Sequence, residues 1–284
     1  MRKINLAKEE YFNSLVAVII QSNLKLEPET FDKIKSTYDS MKDLHSKNLM
    51  GYIVENCQVA TEKKLPICQD TGILEVFVKI GRNVFLEGNL ENFINKAAAK
   101  AYSDGYFRKS VVSALTRENT KTNTPAIIHF EFIDGDNLEF YVVPKGFGAE
   151  NMTTLKMFNP TASSLDIVDF ILQTVKNAGP NPCPPLFLGI GIGGTSEKAL
   201  LLAKKAQSGL VEIEHVTDEE LSVVDSMKSE IIKCGNELWI GPFGLGGEGS
   251  VLNVNINVYP THIAGLPVAV TFGCWCNRLK KLVL

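Results

Sequence analysis

The stretch Ile67-Cys68-Gln69-Asp70-Thr71-Gly72-Ile73-Leu74-Glu75-Val76-Phe77-Val78-Lys79-Ile80-Gly81 divides the chain into two kinds of pattern. Its second part, residues 73–80, is mostly aliphatic and aromatic and ends at a glycine, which predicts a strand. Its first part is a polar turn that carries a cysteine and an aspartate. Before this stretch the apolar residues recur at helical spacing, and after it strand patterns alternate with helical ones.

The segment before this stretch predicts a helical N-terminal layer over about residues 1–65. Helix-period apolar positions run through residues 5–50. The sequence Leu26-Glu27-Pro28-Glu29-Thr30 marks a break and a new helix start, because proline and acidic residues suit the first turn of a helix.

Later segments predict both helices and strands. Helical periods occupy residues 90–103, 165–175, 196–206 and 218–232, and Ser, Thr or Asp at or before the last three starts could cap them. Residues 126–132 and 138–143 flank Asp134-Gly135-Asp136-Asn137, which is the turn chemistry of a β-hairpin. Residues 267–272 predict a last strand. The chain therefore predicts an α+β fold, a helical N-terminal layer followed by a mixed, largely antiparallel β-sheet flanked by helices.

Residues 252–258 show strict alternation of two kinds of side chain. Aliphatic residues fall on one face, and Asn253, Asn255 and Asn257 fall on the other. We predict that the asparagines form a solvated face, with a polar cavity or a subunit interface as alternatives.

Composition excludes several classes of protein. The chain has 284 residues, of which 45% are hydrophobic and 21% charged, and this can bury a large core. A net charge of −3 provides no basic field for nucleic acid. We see no apolar run long enough to span a membrane and no signal peptide, so we expect a cytoplasmic protein. No interdomain linker is evident, and residues 1–284 are predicted to form a single domain.

Six cysteines without an export signal favour reduced thiols, metal ligands or catalytic residues over a disulfide framework. Three of them lie in turn-forming contexts: Cys68, Cys183 in Asn181-Pro182-Cys183-Pro184-Pro185, and Cys274 in Gly273-Cys274-Trp275-Cys276. Thiolates from three distant loops can hold an iron–sulfur cluster. Cys57 and Cys234 fall on helical stretches, which predicts that both are small buried core residues.

The glycine run Gly189-Ile190-Gly191-Ile192-Gly193-Gly194-Thr195 satisfies a dinucleotide-binding pattern. Glu212 or Glu214 falls near the spacing expected of a ribose-binding acid. A dinucleotide fold would place such a run in a repeated parallel βαβ array, whereas here it follows a Pro-Cys-Pro-Pro turn. A tight strand-to-helix turn, or an anion seat at a helix N-terminus, explains the same glycines. The glycine-rich loops at 146–148 and 244–249 favour the polar rim of an active site.

Five motifs together resemble one known family. They are Ile67-Cys68-Gln69-Asp70-Thr71-Gly72, Asn123-Thr124-Pro125-Ala126, Pro144-Lys145-Gly146-Phe147-Gly148-Ala149-Glu150-Asn151, Gly191-Ile192-Gly193-Gly194-Thr195, and Pro267-Val268-Ala269-Val270 before Cys274-Trp275. In this order they resemble the alpha subunit of class I fumarate hydratase and L-tartrate dehydratase. The resemblance covers nearly the whole chain and implies one iron–sulfur hydro-lyase catalytic domain.

The resemblance implies a [4Fe–4S] cluster ligated by Cys68, Cys183 and Cys274, with the fourth iron open to a hydroxy acid. It also implies a role for each of several other residues, which are Gln69 and Arg108 as substrate-binding residues, Asp70 as an acid–base residue, His262 as its catalytic neighbour, and Gly146 or Gly148 as a backbone contact to substrate. Phe147 stands where family members commonly carry a small residue. Cys276 is interpreted as a packing residue.

The activity implied by the resemblance is reversible hydration of fumarate to (S)-malate, and conversion of L-tartrate to oxaloacetate is the alternative. Mesaconate is a further possible substrate. The family's beta-type domain would have to be a separate beta subunit, since the chain ends at Leu284, ten residues after Cys274. We expect a dimer of alpha–beta pairs. Two other hypotheses stay open, a Rossmann-type oxidoreductase and a non-catalytic zinc or iron–sulfur binding module.

Overall fold

The computed structural model describes residues 1–212 and 215–284. Its contacts divide the chain into two compact units. The first unit consists of Met1–Pro28, Asn56–Phe147 and Arg278–Leu284, and the second of Glu29–Glu55 and Gly148–Asn277. This division is geometric and does not test whether the chain acts as one catalytic domain, which stays a prediction.

Helices and strands are mixed along the whole chain. The helices are α1 (Glu9–Leu24), α2 (Pro28–Ser40), α3 (Leu44–Lys63), α4 (Leu90–Asp104), α5 (Phe147–Glu150), α6 (Ser164–Ala178), α7 (Ser196–Gln207) and α8 (Asp218–Glu237). The strands are β1 (Arg2–Asn5), β2 (Ile73–Gly81), β3 (Val84–Glu87), β4 (Ile127–Ile133), β5 (Leu138–Lys145), β6 (Thr154–Phe158), β7 (Leu186–Gly193), β8 (Val251–Tyr259), β9 (Leu266–Gly273) and β10 (Lys280–Val283). This confirms an α+β fold.

The helical N-terminal layer is present as α1, α2 and α3, although the short strands β1 and β10 at the chain ends were not predicted. β1 pairs in parallel with β3, and β10 pairs antiparallel with β5. The predicted caps of α6 and α8 form: Ser163 and Thr217 each accept from the third residue of their helix in a capping box. Thr195 precedes α7 without such a bond.

The first unit is built around a four-stranded sheet in the order β10-β5-β2-β4. β2 lies between β5 and β4, and its residues are buried along most of its length. Helices α1 and α4 contribute apolar residues to the same core as the sheet, including Leu15, Ile19, Ala97, Ala101, Val76, Val78 and Phe140.

The predicted hairpin between β4 and β5 is wrong. β2 lies between them, parallel to β4 and antiparallel to β5. Residues 134–137 still form a turn, which crosses the end of β2. Gly81 N, at the end of β2, donates to Asn137 O at 2.8 Å, and Asn83 N, just after the strand, donates to Gly135 O at 2.9 Å. β2, which is more buried than β4, separates the two arms of the expected hairpin.

The second unit contains another four-stranded sheet, in the order β6-β9-β7-β8. β7 is buried along its whole length, pairs in parallel with β8 and pairs antiparallel with β9. Both four-stranded sheets therefore have an antiparallel pair at the centre, with a parallel strand on one side. The predicted mixed, largely antiparallel arrangement is confirmed, since two of the three strand pairings in each sheet are antiparallel, but it is divided between two four-stranded sheets.

Glycines in β7 allow α7 to pack directly on the strand. A Cβ atom at Gly191 would overlap the carbonyl oxygen of Ala199, and one at Gly189 would overlap that of Ala203. Gly193 and Gly194 have positive φ angles of 90° and 69° and form the turn into α7. The run therefore has a packing function, which disfavours the dinucleotide hypothesis. Glu212 pairs with Lys205, and Glu214 lies outside the described residues.

The prediction of a solvated asparagine face on β8 is wrong. Asn257 is fully buried; its side-chain amide donates to Leu202 O at 3.1 Å and Leu210 O at 2.9 Å, and its oxygen accepts from Glu212 N at 2.8 Å. Asn255 donates to Ala206 O at 2.9 Å. Asn255 and Asn257 bind carbonyl groups in and after α7, because buried backbone groups need partners, whereas Asn253 Oδ1 accepts from Lys33 Nζ at 2.6 Å.

Within the described residues, no helix is both long and apolar enough to cross a membrane.

We predict that Gly191→Ala destabilises the chain by about 3 kcal/mol, the upper end of the usual cost of overpacking, because its methyl group would overlap the backbone of α7. Gly265→Ala is the matched control. A Cβ there would have no atom within 4 Å, so the change should stay within about 0.5 kcal/mol. Urea unfolding measures both values. Equal stability of the two variants would refute the packing function of the glycine run.

Candidate active site

The loop that carries Cys68 and Asp70 is anchored at both of its ends. Ile67 N donates to Asn23 O at 2.9 Å, and Ile67 O accepts from the Asn56 side chain at 2.8 Å. Gly72 has a φ of 71°, and a Cβ atom there would lie 2.5 Å from Lys145 O. Only glycine fits that approach, so the loop enters β2 directly beside the end of β5.

The carboxylate of Asp70 is held by two backbone N–H groups. Oδ1 accepts from Gly72 N at 3.0 Å, and Oδ2 accepts from Phe147 N at 3.0 Å. A Cβ atom at Gly146 would lie 3.1 Å from Oδ2. The structure thus brings Asp70 and Gly146 together, as two of the residues implied by the family resemblance. The absence of a Cβ atom at Gly146 gives the carboxylate of Asp70 room to lie there.

Arg278 is a residue that the sequence analysis missed. Its side chain is 3% exposed, and it donates to Asn23 Oδ1 at 3.0 Å and to Asp70 O at 3.0 Å. It therefore fixes the backbone of the aspartate to α1. An arginine three residues beyond Trp275 provides no signal in a single sequence, because only the antiparallel return of β10 brings it to this loop.

Arg108 is tied to the same loop through its backbone. Its carbonyl oxygen accepts from Thr71 Oγ1 at 2.8 Å, while its side chain is exposed. Tyr102 Oη donates to Thr71 O at 2.7 Å, and burial raises the pKa of Tyr102 to about 12, so the phenol stays a donor. Asn123 bonds Gly72 O at 3.0 Å. Gln69 is exposed on this loop, so the first unit collects Cys68, Gln69, Asp70, Arg108 and Gly146.

The second unit brings the loops of Cys183 and Cys274 together. Cys183 has a φ of 58° in the turn before β7, and its carbonyl oxygen accepts from Trp275 N at 3.3 Å. Cys274 follows β9 directly. Both cysteines are partly exposed and neither is in a disulfide. The antiparallel pairing of Phe187 with Gly273 explains why their loops meet.

Two glycine-rich segments support the Cys183 turn. A Cβ atom at Gly148 would lie 3.0 Å from Asn181 O. Phe243 N donates to Pro184 O at 2.7 Å. Phe243 directly precedes the 244–249 loop, and the far end of this loop lies against the start of α3, where Glu248 N donates to Ser46 Oγ at 2.8 Å. The loop therefore has supporting contacts at both of its ends.

His262 lies at the opposite end of β9 from Cys274. It is exposed in the turn between β8 and β9, where its Nδ1 accepts from Ala264 N at 3.1 Å. Eight residues of strand separate that turn from Cys274, which is roughly 26 Å at about 3.3 Å per residue. The structure does not bring His262 to the cysteine loops of this unit, and its catalytic role stays a prediction.

The other three cysteines have different surroundings. Burial raises the pKa of the Cys57 thiol to about 12, and a hydrogen bond to Glu230 raises the pKa of the Cys234 thiol. The prediction of a buried core residue is confirmed for Cys57 and is wrong for Cys234, which is partly exposed. Cys276 is 3% exposed, which agrees with its interpretation as a packing residue. Across residues 1–212 and 215–284, no group of three or more His, Cys, Asp or Glu is arranged to hold a single metal ion.

Comparison with known proteins gives the same family from the full length of the chain. The family model described as fumarate hydratase (fumerase) matches residues 13–283. A protein of Methanocaldococcus jannaschii named putative L(+)-tartrate dehydratase subunit alpha is 37% identical over 279 residues, which are 95% of this chain and 96% of that protein. The L(+)-tartrate dehydratase alpha subunits of Escherichia coli and Shigella sonnei are each 27% identical over 285 residues, covering 98% of this chain and 93% of theirs. The chain therefore belongs to the fumarate hydratase family and is a hydro-lyase.

Proposed function

We propose that this chain is the alpha subunit of a two-subunit hydro-lyase that reversibly hydrates fumarate to (S)-malate. The observation that carries the proposal is the position of the Asp70 carboxylate. It lies two residues after Cys68, is oriented by the N–H groups of Gly72 and Phe147, and lies so close to Gly146 that a Cβ atom there would be 3.1 Å from Oδ2.

Loss of water from a hydroxy diacid requires removal of a proton from the carbon next to a carboxylate. A positioned carboxylate can accept that proton and return it in the reverse direction. Each oxygen of Asp70 accepts one backbone hydrogen bond and keeps further acceptor capacity for substrate. The two backbone donors hold the carboxylate in one orientation, so proton transfer needs little reorganisation at this residue.

Arg108 and Gln69 are proposed to bind the substrate next to Asp70. The exposed guanidinium of Arg108 offers a planar pair of donors that matches a carboxylate. The amide of Gln69 can donate to a second polar group. The backbone of Gly146, which lies beside the carboxylate of Asp70, is proposed to contact the substrate, since no side chain stands in the way.

Cys68, Cys183 and Cys274 are proposed to hold a [4Fe–4S] cluster. All three are partly exposed on loops, whereas Cys57 and Cys276 are buried. Three thiolates on such a cluster bind three different irons, which is a different arrangement from a single-ion site. When bound, the iron without a protein ligand would supply a Lewis acid for the carboxylate and hydroxyl of the substrate.

A separate beta subunit is proposed to complete the active site, in a dimer of alpha–beta pairs. The relatives are named alpha subunits, which supports a partner. A four-carbon diacid has a second carboxylate, and Arg108 can bind only one of the two. We propose that the partner supplies the cationic groups for the other.

Dehydration of L-tartrate to oxaloacetate is the second candidate function. The names of the relatives favour it. Both reactions remove water from adjacent carbons of a four-carbon diacid, so the same Asp70 chemistry serves either.

The substrate is tested by anaerobic assay of the iron- and sulfide-reconstituted chain, alone and with a co-expressed beta-type partner, against fumarate, L-tartrate and mesaconate. We expect little turnover by the chain alone and turnover of fumarate with the partner. Preference for L-tartrate by more than tenfold in kcat/KM, a difference of about 1.4 kcal/mol, would select the second candidate. Full turnover without the partner would refute the two-subunit proposal.

Cluster ligation is tested by alanine at each cysteine, with iron and sulfide counted after anaerobic reconstitution. Cys68→Ala, Cys183→Ala and Cys274→Ala should each lose most of both, because two thiolates leave the cube unstable. Cys57→Ala, Cys234→Ala and Cys276→Ala are the matched controls and should keep parental iron and sulfide. If Cys276→Ala lost its iron and sulfide while Cys274→Ala kept them, the third ligand would be Cys276 and the proposed assignment to Cys274 would be wrong.

Acid–base function is tested by Asp70→Asn, which removes the ionisable group and keeps the shape and one acceptor oxygen, so that one of the two backbone N–H bonds is lost. We expect kcat to fall by about 10² to 10⁴ while iron content stays near the parental value. An unchanged kcat would exclude Asp70 from proton transfer.

Arg278→Lys separates the position of Asp70 from its chemistry. Lysine keeps the positive charge but loses the planar fork that bonds Asn23 and Asp70 O at once. We expect kcat to fall by about 10- to 100-fold, since misplacement of a catalytic group by ~1 Å costs up to that much, with the pH profile unchanged. An altered pH profile would show that Arg278 affects the titration of a catalytic group and not the position of Asp70.

A further inference from the structure

Strand β4 forms the outer edge of the sheet in the first unit. β2 pairs with one side of it, and in the described part of the chain no strand pairs with the other side. Backbone N–H and C=O groups along such an edge can pair with a further strand.

Two large apolar side chains on this strand are exposed. Phe130 is 50% and Phe132 is 70% exposed. They are in register with Val78 and Ile80 of β2, and Val78 is buried in the core of the unit. The aromatic side chains therefore extend the apolar face of the sheet beyond its own core.

The edge of β4 lacks the residues that usually protect such strands. β10, at the other edge of this sheet, carries Lys280 and Lys281. β4, Ile-Ile-His-Phe-Glu-Phe-Ile, contains neither lysine nor proline. An exposed apolar edge strand without these residues is expected to pair with another chain.

The sequence of β4 is self-complementary when two copies run antiparallel with Phe130 at the centre. Ile127 then faces Ile133, Ile128 faces Phe132, and His129 faces Glu131 of the other copy. Moving the centre by one residue places His129 opposite His129, or Glu131 opposite Glu131. Such cross-strand pairs of like residues are less favourable than a His–Glu pair, so the charges select one register.

The two polar residues of this strand are held on the face opposite Phe130. The ring of His129 stacks on Phe77 with a centroid distance of 4.9 Å, and its Nε2 lies 3.0 Å from Glu75 Oε1. Glu131 is in register with Lys79 of β2. Antiparallel pairing around Phe130 would therefore join the His129 and Glu131 positions, flanked by isoleucines, on one face and the apolar residues 128, 130 and 132 on the other.

We propose that β4 pairs with β4 of a second copy of this chain, antiparallel across a two-fold axis at Phe130. The β10-β5-β2-β4 sheets of the two copies would then form one continuous sheet of eight strands. This inference rests on the part of the proposed function that places two copies of the chain in one assembly, and it is independent of the substrate.

The surface is tested by light scattering after size exclusion, on the full chain with and without its co-expressed partner. Phe130→Lys places two positive charges at the two-fold axis. We expect the parental chain to have the mass of an assembly with two copies, and Phe130→Lys to have half that mass at the same concentration. Phe85→Lys is the matched control, because Phe85 is a 51% exposed aromatic residue on β3 of the same unit, and it should keep the parental mass.

Register is tested by oxidising Phe130→Cys with diamide and separating the products on a non-reducing gel. Directly opposite residues of an antiparallel pair have Cα atoms about 4.5 or 5.5 Å apart, within the range of a disulfide. Ile127→Cys is the control, since two copies of residue 127 would be roughly 20 Å apart. We expect at least tenfold more covalent dimer from Phe130→Cys than from either Ile127→Cys or the parental chain.

Different results reject different parts of the inference. A parental chain with one copy in every preparation rejects the two-copy assembly itself. A two-copy parental mass that persists in Phe130→Lys, with equal crosslinking of Phe130→Cys and Ile127→Cys, rejects β4 as the surface and leaves the assembly standing. If circular dichroism shows that Phe130→Lys is unfolded, the crosslinking yields decide the question.

Discussion

The central position of β2 is the constraint on which the first unit depends. Because β2 lies between β4 and β5, its first residue pairs with Lys145 at the end of β5. The loop before β2 must then meet the loop after β5, and this contact places the carboxylate of Asp70 against the N–H of Phe147. The same insertion moves β4 to the edge of the sheet. One topological choice therefore sets both the candidate catalytic loop and the exposed strand.

The second unit uses the same principle with β7. It too is central, with an antiparallel and a parallel neighbour. Its antiparallel partner β9 ends where β7 begins, so the turn of Cys183 meets the segment after β9. The glycines of β7 bring α7 close to the sheet, which leaves carbonyl groups in and after that helix for the asparagines of β8 to bind. Residues that suggested a cofactor or a polar surface thus belong to the packing of one helix.

The residues proposed to act in this chain are held mainly by backbone contacts. Asp70 is oriented by two N–H groups, Arg108 and Cys183 are fixed through their carbonyl oxygens, and Gly146 matters because it has no side chain. This arrangement fixes the backbone of Arg108 without using its exposed side chain. It also makes the supporting residues hard to identify from sequence, since their side chains bond main-chain atoms of distant loops.

The sequence by itself determined the class of fold, most helices and half of the strands that the structure describes, and the motifs that resemble the hydro-lyase family, because periodicity, glycine turns and the Cys-Gln-Asp loop are local patterns. Tertiary structure alone decided three other matters. It inserted β2 between β4 and β5, it assigned the asparagines of β8 to buried carbonyl groups, and it brought Arg278 to the loop of Asp70. The physical reason is that strand order and buried hydrogen-bond partners depend on which surfaces compete for the core, and a local pattern contains no information about that competition.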